Sequence, residues 1–276
     1  MSQKTLTQET TLKIVSAGAL HRPLAKCVEL FWESYPRVKV KMFAAGSREC
    51  ARRVMEGLPF DVLALADPGI FAELLAPDFV SEYFVFATDQ IVLAYERLSR
   101  HSETINAQNW MDVLLKEEVN YARSDHNLDP CGYRTLLVWK LAELFYGRPG
   151  LFEQLNARCQ PANIYPKSLD AAVSLLEGRV DYAFLYSSVA GQLGLRQVAL
   201  PVQINLSSPS YAQYYNSVYV AVEGKFPHSP TIIKGAPIEF AVGLAKKAPF
   251  YAQAFVDLLT GRQGQEILEE CGLIPC

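Results

Sequence analysis

The chain has 276 residues, of which 50% are hydrophobic and 20% charged, a composition that excludes intrinsic disorder and suffices for one large core or two moderate ones. Its 26 basic and 29 acidic residues give a formal net charge of −3 without the basic stripe typical of nucleic-acid-binding proteins. No apolar run approaches the roughly 20 residues that a membrane helix needs. A nucleic-acid partner and a membrane span are therefore not expected.

The first third of the chain alternates between strand patterns and helix patterns. Strands are predicted at residues 12–17, 38–43, 61–66, 82–87 and 90–95, and helices at residues 22–35, 48–56 and 69–75. An alternation of this kind indicates a largely parallel sheet covered by helices.

A second α/β unit is predicted after residue 95, and a mixed tail follows it. The predicted elements are a helix start near Trp110, a strand at 119–123, helices at 132–146 and 169–177, and a strand at 180–186. In the tail, strands are predicted at 218–222 and 238–242, and helices at 250–259 and 264–271.

No flexible linker separates the two units, so a two-domain division must use strands at about 88–95 and 200–206 as crossings. This predicts one lobe from residues 12–89 and 203–276, an inserted lobe from residues 90–202, and a polar N-terminal leader at 1–11. Two open α/β sheets that face each other would enclose a ligand site between them.

The leader lacks the apolar core of a secretory signal, which leaves two alternatives: a cytoplasmic protein, or an exported one whose signal has been removed. The six cysteines match no zinc-binding spacing. In an oxidising compartment Cys27 could pair with Cys50, and Cys271 with Cys276.

Four strand-to-helix junctions carry small or turn residues where a helix begins. The amide groups of a first helical turn are unpaired and the helix dipole adds positive charge, so such junctions can bind anions. Each one alone also fits an ordinary helix cap, and only their convergence in space would favour a site. The junctions are Ser16-Ala17-Gly18-Ala19-Leu20, Ala44-Ala45-Gly46-Ser47, Asp129-Pro130-Cys131-Gly132 and Pro166-Lys167-Ser168-Leu169-Asp170.

An ordered set of segments through nearly the whole chain resembles the extracytoplasmic molybdate/tungstate-binding proteins of ABC importers, in their archaeal-type branch. The segments are Ala17-Gly18, residues 44–47, Ala66-Asp67, residues 90–95, residues 105–110, residues 129–134, residues 206–209 and residues 264–268. The whole ordered set is specific to this family, whereas no single segment in it would be.

The resemblance implies a two-lobed periplasmic-binding-protein fold (class II), which is an α/β fold with two open mixed sheets joined by a two-strand hinge. It implies a transport protein without catalytic residues or a cofactor, a monomer located in the periplasm or anchored outside the membrane. Its partners would be a small inorganic oxyanion and a membrane ABC permease.

The resemblance also assigns a ligand set. Ala19, Ser47 and the Tyr186 hydroxyl would hold the oxyanion, as would the amides of Cys131 and Leu169. The carboxylate of Asp129 would bond the Mo or W atom of the oxyanion directly. Gly18, Gly46 and Asp170 are weaker candidates beside these positions.

Two departures from the family pattern keep alternatives open. Ala19 stands where a serine is usual, and the second metal-bonding carboxylate of the branch falls on Leu169, one residue before Asp170. Asp129 therefore either bonds the metal or only caps its helix. The same fold could instead bind sulfate, phosphate or a small organic acid. A different class, a thiol-dependent enzyme, would use Cys131 as its nucleophile.

Overall fold

A computed structural model of the chain describes residues 10–226 and 228–276. In chain order the strands are β1 (Thr11–Ala17), β2 (Lys39–Ala45), β3 (Val62–Leu65), β4 (Val80–Asp89), β5 (Ile91–Tyr95), β6 (Tyr121–Ser124), β7 (Ile164–Tyr165), β8 (Tyr182–Tyr186), β9 (Arg196–Val198), β10 (Tyr219–Glu223), β11 (Pro230–Lys234), β12 (Ile238–Ala245) and β13 (Ile274–Pro275). The predicted leader, apart from its last two residues, lies outside the described residues.

The helices are α1 (His21–Ser34), α2 (Ser47–Met55), α3 (Pro68–Ile70), α4 (Trp110–Leu114), α5 (Pro130–Phe145), α6 (Leu151–Arg158), α7 (Ser168–Leu176), α8 (Ser187–Gln192), α9 (Ala212–Tyr215), α10 (Phe250–Thr260) and α11 (Arg262–Glu270). Shorter helical turns cover Gly18–Leu20, Phe71–Leu75, Pro161–Asn163 and Pro209–Tyr211.

The strands form two mixed sheets and a separate hairpin of β10 and β11. The first sheet has the order β13-β4-β12-β3-β1-β2, in which β1 pairs in parallel with β2 and β3 while β12 runs antiparallel. The second sheet has the order β7-β6-β8-β5-β9, with β6 parallel to β7 and β8 and with β5 antiparallel. Two open mixed sheets with helices around them confirm the predicted α/β architecture.

Side-chain alternation along β1 places apolar residues on both faces of the first sheet. Ile14 belongs to the larger core, which also runs through the second sheet, whereas Val15 belongs to a smaller core. Cys27 lies in the larger core and Cys50 in the smaller one, so the sheet separates them. All six cysteines are free thiols, and neither disulfide considered from the sequence is formed.

The chain crosses between the sheets twice. A strand was predicted at each crossing, and only the first crossing is made of strands. β4 ends at Asp89 in the first sheet and β5 begins at Ile91 in the second. The return path, residues 199–206, runs through turns, so the second strand of the predicted hinge is wrong. Asn205 instead joins the two crossings, because its side chain donates to Gln90 Oε1 at 2.8 Å and its carbonyl accepts from the Ile91 amide.

The boundaries of the two lobes remain a prediction. Strands of the first sheet come from residues 11–89 and 238–275, and those of the second from residues 91–198. The sequence reading missed helices α6 and α8 and strand β11, which are short and whose apolar residues follow no extended pattern.

Candidate functional site

The four junctions singled out in the sequence form a connected group. A side chain added at Gly46 would come within 3.1 Å of Asp129 Cβ, which puts the start of α2 against the start of α5. Asp129 Oδ2 accepts from the Ser168 amide at 2.6 Å, which joins the start of α5 to that of α7. A Cβ at Gly18 would lie 3.5 Å from Lys167 Cδ, so the first junction meets the last. The structure thus brings helix starts from both sheets together.

The start of α2 is fixed to the loop before α5 through backbone groups. The Leu128 carbonyl accepts from the amides of Arg48 and Glu49 at 3.0 and 3.2 Å. These two amides of the first turn are therefore satisfied by protein, which leaves the amide and the hydroxyl of Ser47 as the groups at this helix start that could face a ligand.

Ser47 is fully buried as the first residue of α2. Its Oγ accepts from the Ala66 amide at 2.9 Å, and no oxygen among the described residues accepts the hydroxyl hydrogen. A hydroxyl has one hydrogen and two acceptor lone pairs, so the Ala66 contact leaves the Ser47 hydrogen available to a ligand.

Asp129 is the N-cap of α5 and is 4% exposed. Its Oδ1 accepts from the Cys131 amide at 3.2 Å, while Oδ2 accepts from Ser168 at the first position of α7. Burial raises the pKa of this carboxyl, and the bonds from the Ser168 and Cys131 amides act in the opposite direction. Asp129 thus caps α5, as one of the two predicted alternatives has it, and it also bonds the start of α7. Its bond to the Cys131 amide uses a donor that the resemblance assigned to the ligand.

Tyr186 is fully buried at the end of β8, and its Oη accepts from Arg134 Nη1 at 2.7 Å. The same Nη1 donates to the Ala66 carbonyl at 2.5 Å, directly beside the amide that holds Ser47. Both hydroxyls assigned to the site are therefore anchored on Ala66, one through its amide and one through Arg134.

The other assigned positions surround these groups. Ala19 is buried in the turn Gly18–Leu20, and Leu169 is partly buried in the first turn of α7. Asp170 is 39% exposed at its side chain and lies 3.7 Å from Lys167 Nζ, so it faces a lysine at the rim of the group.

Sequence reasoning missed several polar groups near the site. The hydroxyls of Ser16, Ser124 and Ser188 are buried and find no partner among the described residues. Ser16 lies near the end of β1, Ser124 ends β6, and Ser188 follows β8, so all three mark the carboxyl ends of strands. Their positions at those ends were the signal that could have found them, because open α/β sheets bind ligands there.

Cys131 does not have the properties of a nucleophile. Its thiol is fully buried and donates to the Phe184 carbonyl at 3.6 Å. Burial, and after it the charge of Asp129, raises the pKa of the thiol well above its ordinary value, although the thiol lies at a helix start. A reactive cysteine needs the thiolate, which this environment disfavours.

Comparison with known proteins gives the family. Residues 12–274 match the family described as bacterial extracellular solute-binding protein. The chain belongs to this solute-binding family. This is a transport family rather than an enzyme class, and among the described residues no helix is long and apolar enough to cross a membrane.

Relatives of this solute-binding protein include proteins named for oxyanions. A solute-binding protein of Petrotoga mobilis is 39% identical over 94% of this chain and 82% of its own length. The molybdate/tungstate-binding protein WtpA of Thermococcus kodakarensis is 32% identical over 95% of this chain and 81% of its own.

Solved structures show the periplasmic-binding-protein fold. The periplasmic molybdate-binding protein of Azotobacter vinelandii superposes with a TM-score of 0.69 at 18% identity, over 95% of this chain and 98% of its own. The sulfate-binding protein SubI from Mycobacterium tuberculosis superposes with a TM-score of 0.68 at 14% identity, over 96% of this chain and 87% of its own.

Proposed function

We propose that this solute-binding protein captures molybdate or tungstate between its two sheets and delivers it, chemically unchanged, to an ABC permease. The names of its relatives from Thermococcus kodakarensis and Pyrococcus abyssi support this choice of ligand. The observation that carries the proposal is the connected group of four strand-to-helix junctions with Tyr186 beside it, where the hydroxyl hydrogens of Ser47 and Tyr186 have no acceptor among the described residues. A dianion matches such neutral donors and helix starts.

The proposed mechanism is closure of two lobes, residues 12–89 with 203–276 and residues 90–202. The first two junctions belong to one lobe and the last two to the other. An oxyanion held by one lobe would gain the remaining donors as the second lobe closes, and the permease would recognise the closed form. The donors are Ala19, Ser47, Tyr186 and the Leu169 amide; the Cys131 amide would join them only if it exchanged Asp129 Oδ1 for the anion.

Asp129 determines which oxyanions this site would accept. An ionised carboxylate beside a dianion is repulsive unless it is protonated, turned away or bonded to the metal. Tungsten and molybdenum can expand their coordination and sulfur in sulfate cannot. A direct Asp129–metal bond would therefore favour the larger oxyanions, with Asp170 too near Lys167 to serve readily as a second ligand.

A tetrahedral oxyanion such as sulfate is the second candidate ligand. It is favoured by one observation: Asp129 has both oxygens engaged by helix amides, and Leu169 supplies no carboxylate. Hydrogen bonds alone would then hold the anion. Phosphate or a small organic acid would be further ligands of the same kind.

The remaining expectations accompany the transport role. The protein would act outside the cytoplasmic membrane, either free in the periplasm or attached to the outer face of that membrane. It would work as a monomer without a cofactor.

Calorimetric titration with molybdate, tungstate, sulfate and phosphate tests the proposal. Ser47→Ala and Tyr186→Phe should each weaken binding roughly tenfold to over a hundredfold, because each removes one hydrogen bond to a charged acceptor. Ser47→Ala should also lower the melting temperature slightly, since the Ala66 amide loses its acceptor.

Matched controls are available in the half of the fold that holds Tyr186. Ser174 and Tyr121 are buried hydroxyl residues that donate to the carbonyls of Ala171 and Leu155. Ser174→Ala and Tyr121→Phe should leave oxyanion affinity unchanged. Unchanged affinity in both site variants would show that the assigned site is wrong.

A further inference from the structure

Arg134 lies one turn into α5 and is only 4% exposed, which is unusual for a guanidinium group. Its Nη1 donates to the Ala66 carbonyl at 2.5 Å and to Tyr186 Oη at 2.7 Å. These two acceptors come from β-strand ends of different sheets, so Arg134 joins the two halves of the site.

The charge of Arg134 is balanced by the carboxylate of Asp67. Asp67 Oδ2 lies 3.7 Å from Arg134 Nη2 and also accepts from the Tyr133 hydroxyl, while its Oδ1 accepts from the Gly69 amide at 2.7 Å. Because a buried charge is costly unless it is paired, this arrangement fixes the guanidinium in one orientation. Arg134 is therefore held rigidly against the Tyr186 hydroxyl.

The bond from Arg134 leaves the Tyr186 hydroxyl as a hydrogen-bond donor. Burial raises the pKa of the phenol well above its ordinary value, so the hydroxyl keeps its hydrogen. Arg134 occupies one of its lone pairs, and no described group accepts the hydrogen. The ring packs edge to face against Phe240 with centroids 5.4 Å apart, which restricts its rotation.

We infer that Arg134 is a positioning residue of the oxyanion site proposed above: it directs the Tyr186 hydroxyl hydrogen towards the bound anion without touching the anion itself. A cation that donates to the phenol oxygen also polarises the O–H bond and strengthens it as a donor. The assignment rests on the proposed function, since it needs an oxyanion as the acceptor.

A double-mutant cycle tests this inference by calorimetry with molybdate and tungstate. Arg134→Gln removes the charged donor, and it is made both alone and together with Tyr186→Phe. In the presence of Tyr186, Arg134→Gln should raise Kd about tenfold or more; with Tyr186→Phe already in place it should change Kd less than about threefold. A purely structural role would not produce this difference, because it would weaken binding equally in both backgrounds.

Arg134→Lys provides a second variant if the glutamine variant fails to fold. Lysine keeps the charge but loses the planar fork that reaches two acceptors at once. Its Kd should lie between those of the wild type and the glutamine variant, again only when Tyr186 is present. A loss of affinity from Arg134→Lys that is the same with and without Tyr186 would overturn the inference, since the arginine would then act independently of the phenol.

The matched control is Arg123, another buried arginine, whose Nη1 donates to the Ser124 carbonyl at 2.9 Å. Arg123→Gln should show no coupling to Tyr186→Phe. Equal loss of affinity from Arg134→Gln in both Tyr186 backgrounds would overturn the positioning role and leave the proposed function intact. Absence of oxyanion binding by the wild type would overturn the proposed function and, with it, this inference.

Discussion

Asp129 is a single carboxylate that satisfies the starts of two helices, since its oxygens accept from Cys131 in α5 and Ser168 in α7. The helix dipoles favour a negative charge there, whereas burial opposes it. A bound dianion would compete with this carboxylate for the same positive environment. Under the proposed function, Asp129 would therefore link the stability of the fold to the choice of ligand.

Replacing Asp129 with Asn separates these roles. Asparagine has one acceptor oxygen and one donor group, so one of the two helix amides should lose its partner, at a cost of about 1–3 kcal/mol in the free energy of unfolding. If the carboxylate bonds the metal, tungstate and molybdate should bind far more weakly while sulfate binds as well or better. Oxyanion titrations of Asp129→Asn decide this, because equal weakening for sulfate and tungstate would contradict a selective metal bond.

Asp89 should make the stability of the fold depend on pH. It is buried at the crossing between β4 and β5, where Oδ1 accepts from the Gln90 amide at 2.7 Å and both carboxyl oxygens lie 3.4 Å from the Ser188 amide. Burial is the main cause that raises its pKa from 3.8 to about 7.

A carboxyl whose pKa is raised on folding adds stability below its unfolded pKa, and this contribution is lost as pH rises through the folded pKa. Asp89→Asn should therefore gain stability relative to the wild type between pH 5 and pH 8, by on the order of a few kcal/mol. Urea unfolding of both proteins at pH 5 and pH 8 measures the difference in their free energies of unfolding. The other titrating groups are common to both proteins, so their contributions cancel from this difference. A constant difference would show that Asp89 titrates normally.

At the scale of elements, the close approach of α2 to the loop before α5 depends on a glycine. A Cβ at Gly46 would lie 2.3 Å from the Leu128 carbonyl, which itself bonds the first amides of α2. Both partners are backbone, so a side-chain rotation cannot relieve the contact. This approach brings the second junction against the third.

Gly46→Ala should consequently lower the free energy of unfolding by about 1–3 kcal/mol and weaken oxyanion binding, because the two helix starts are pushed apart. Gly191→Ala, in α8, is the control, since among the described residues a Cβ there would approach only the side chain of Gln197, at 4.0 Å from Nε2. Calorimetry of both variants measures the effect. Wild-type affinity in Gly46→Ala would show that binding does not need the two elements in contact.

At the scale of the whole molecule, the candidate site joins residues from both sheets and exists only in the folded chain. A ligand bound by the native state alone stabilises it by RT ln(1 + [L]/Kd), about 4 kcal/mol at a thousandfold excess over Kd. Millimolar molybdate or tungstate should thus raise the melting temperature, while chloride at equal ionic strength should not. A shift with sulfate or phosphate but with neither metal oxyanion would favour the second candidate ligand.

The sequence alone determined the alternation of strands and helices and the four junctions. Both depend on short-range features: the apolar period, the small residues before a helix and the proline at the first helical position of α5. The resemblance carried by segments along the whole chain gave the family and the fold. Short elements such as α6 and β11 were not predicted, because a few residues carry too little hydrophobic periodicity to distinguish them from loops.

Only the tertiary structure decided which polar groups meet. Asp129 and Ser168, which are hydrogen-bonded to each other, are 39 residues apart in the sequence, and Arg134 and Tyr186 are 52 apart. No local pattern encodes such pairings, since they depend on how two sheets pack. For the same reason the sequence could treat Asp129 as a cap or a ligand, whereas the fold shows it capping two helices at once. Hydrophobic periodicity specifies elements, and burial in the assembled core then selects the hydrogen-bond partners.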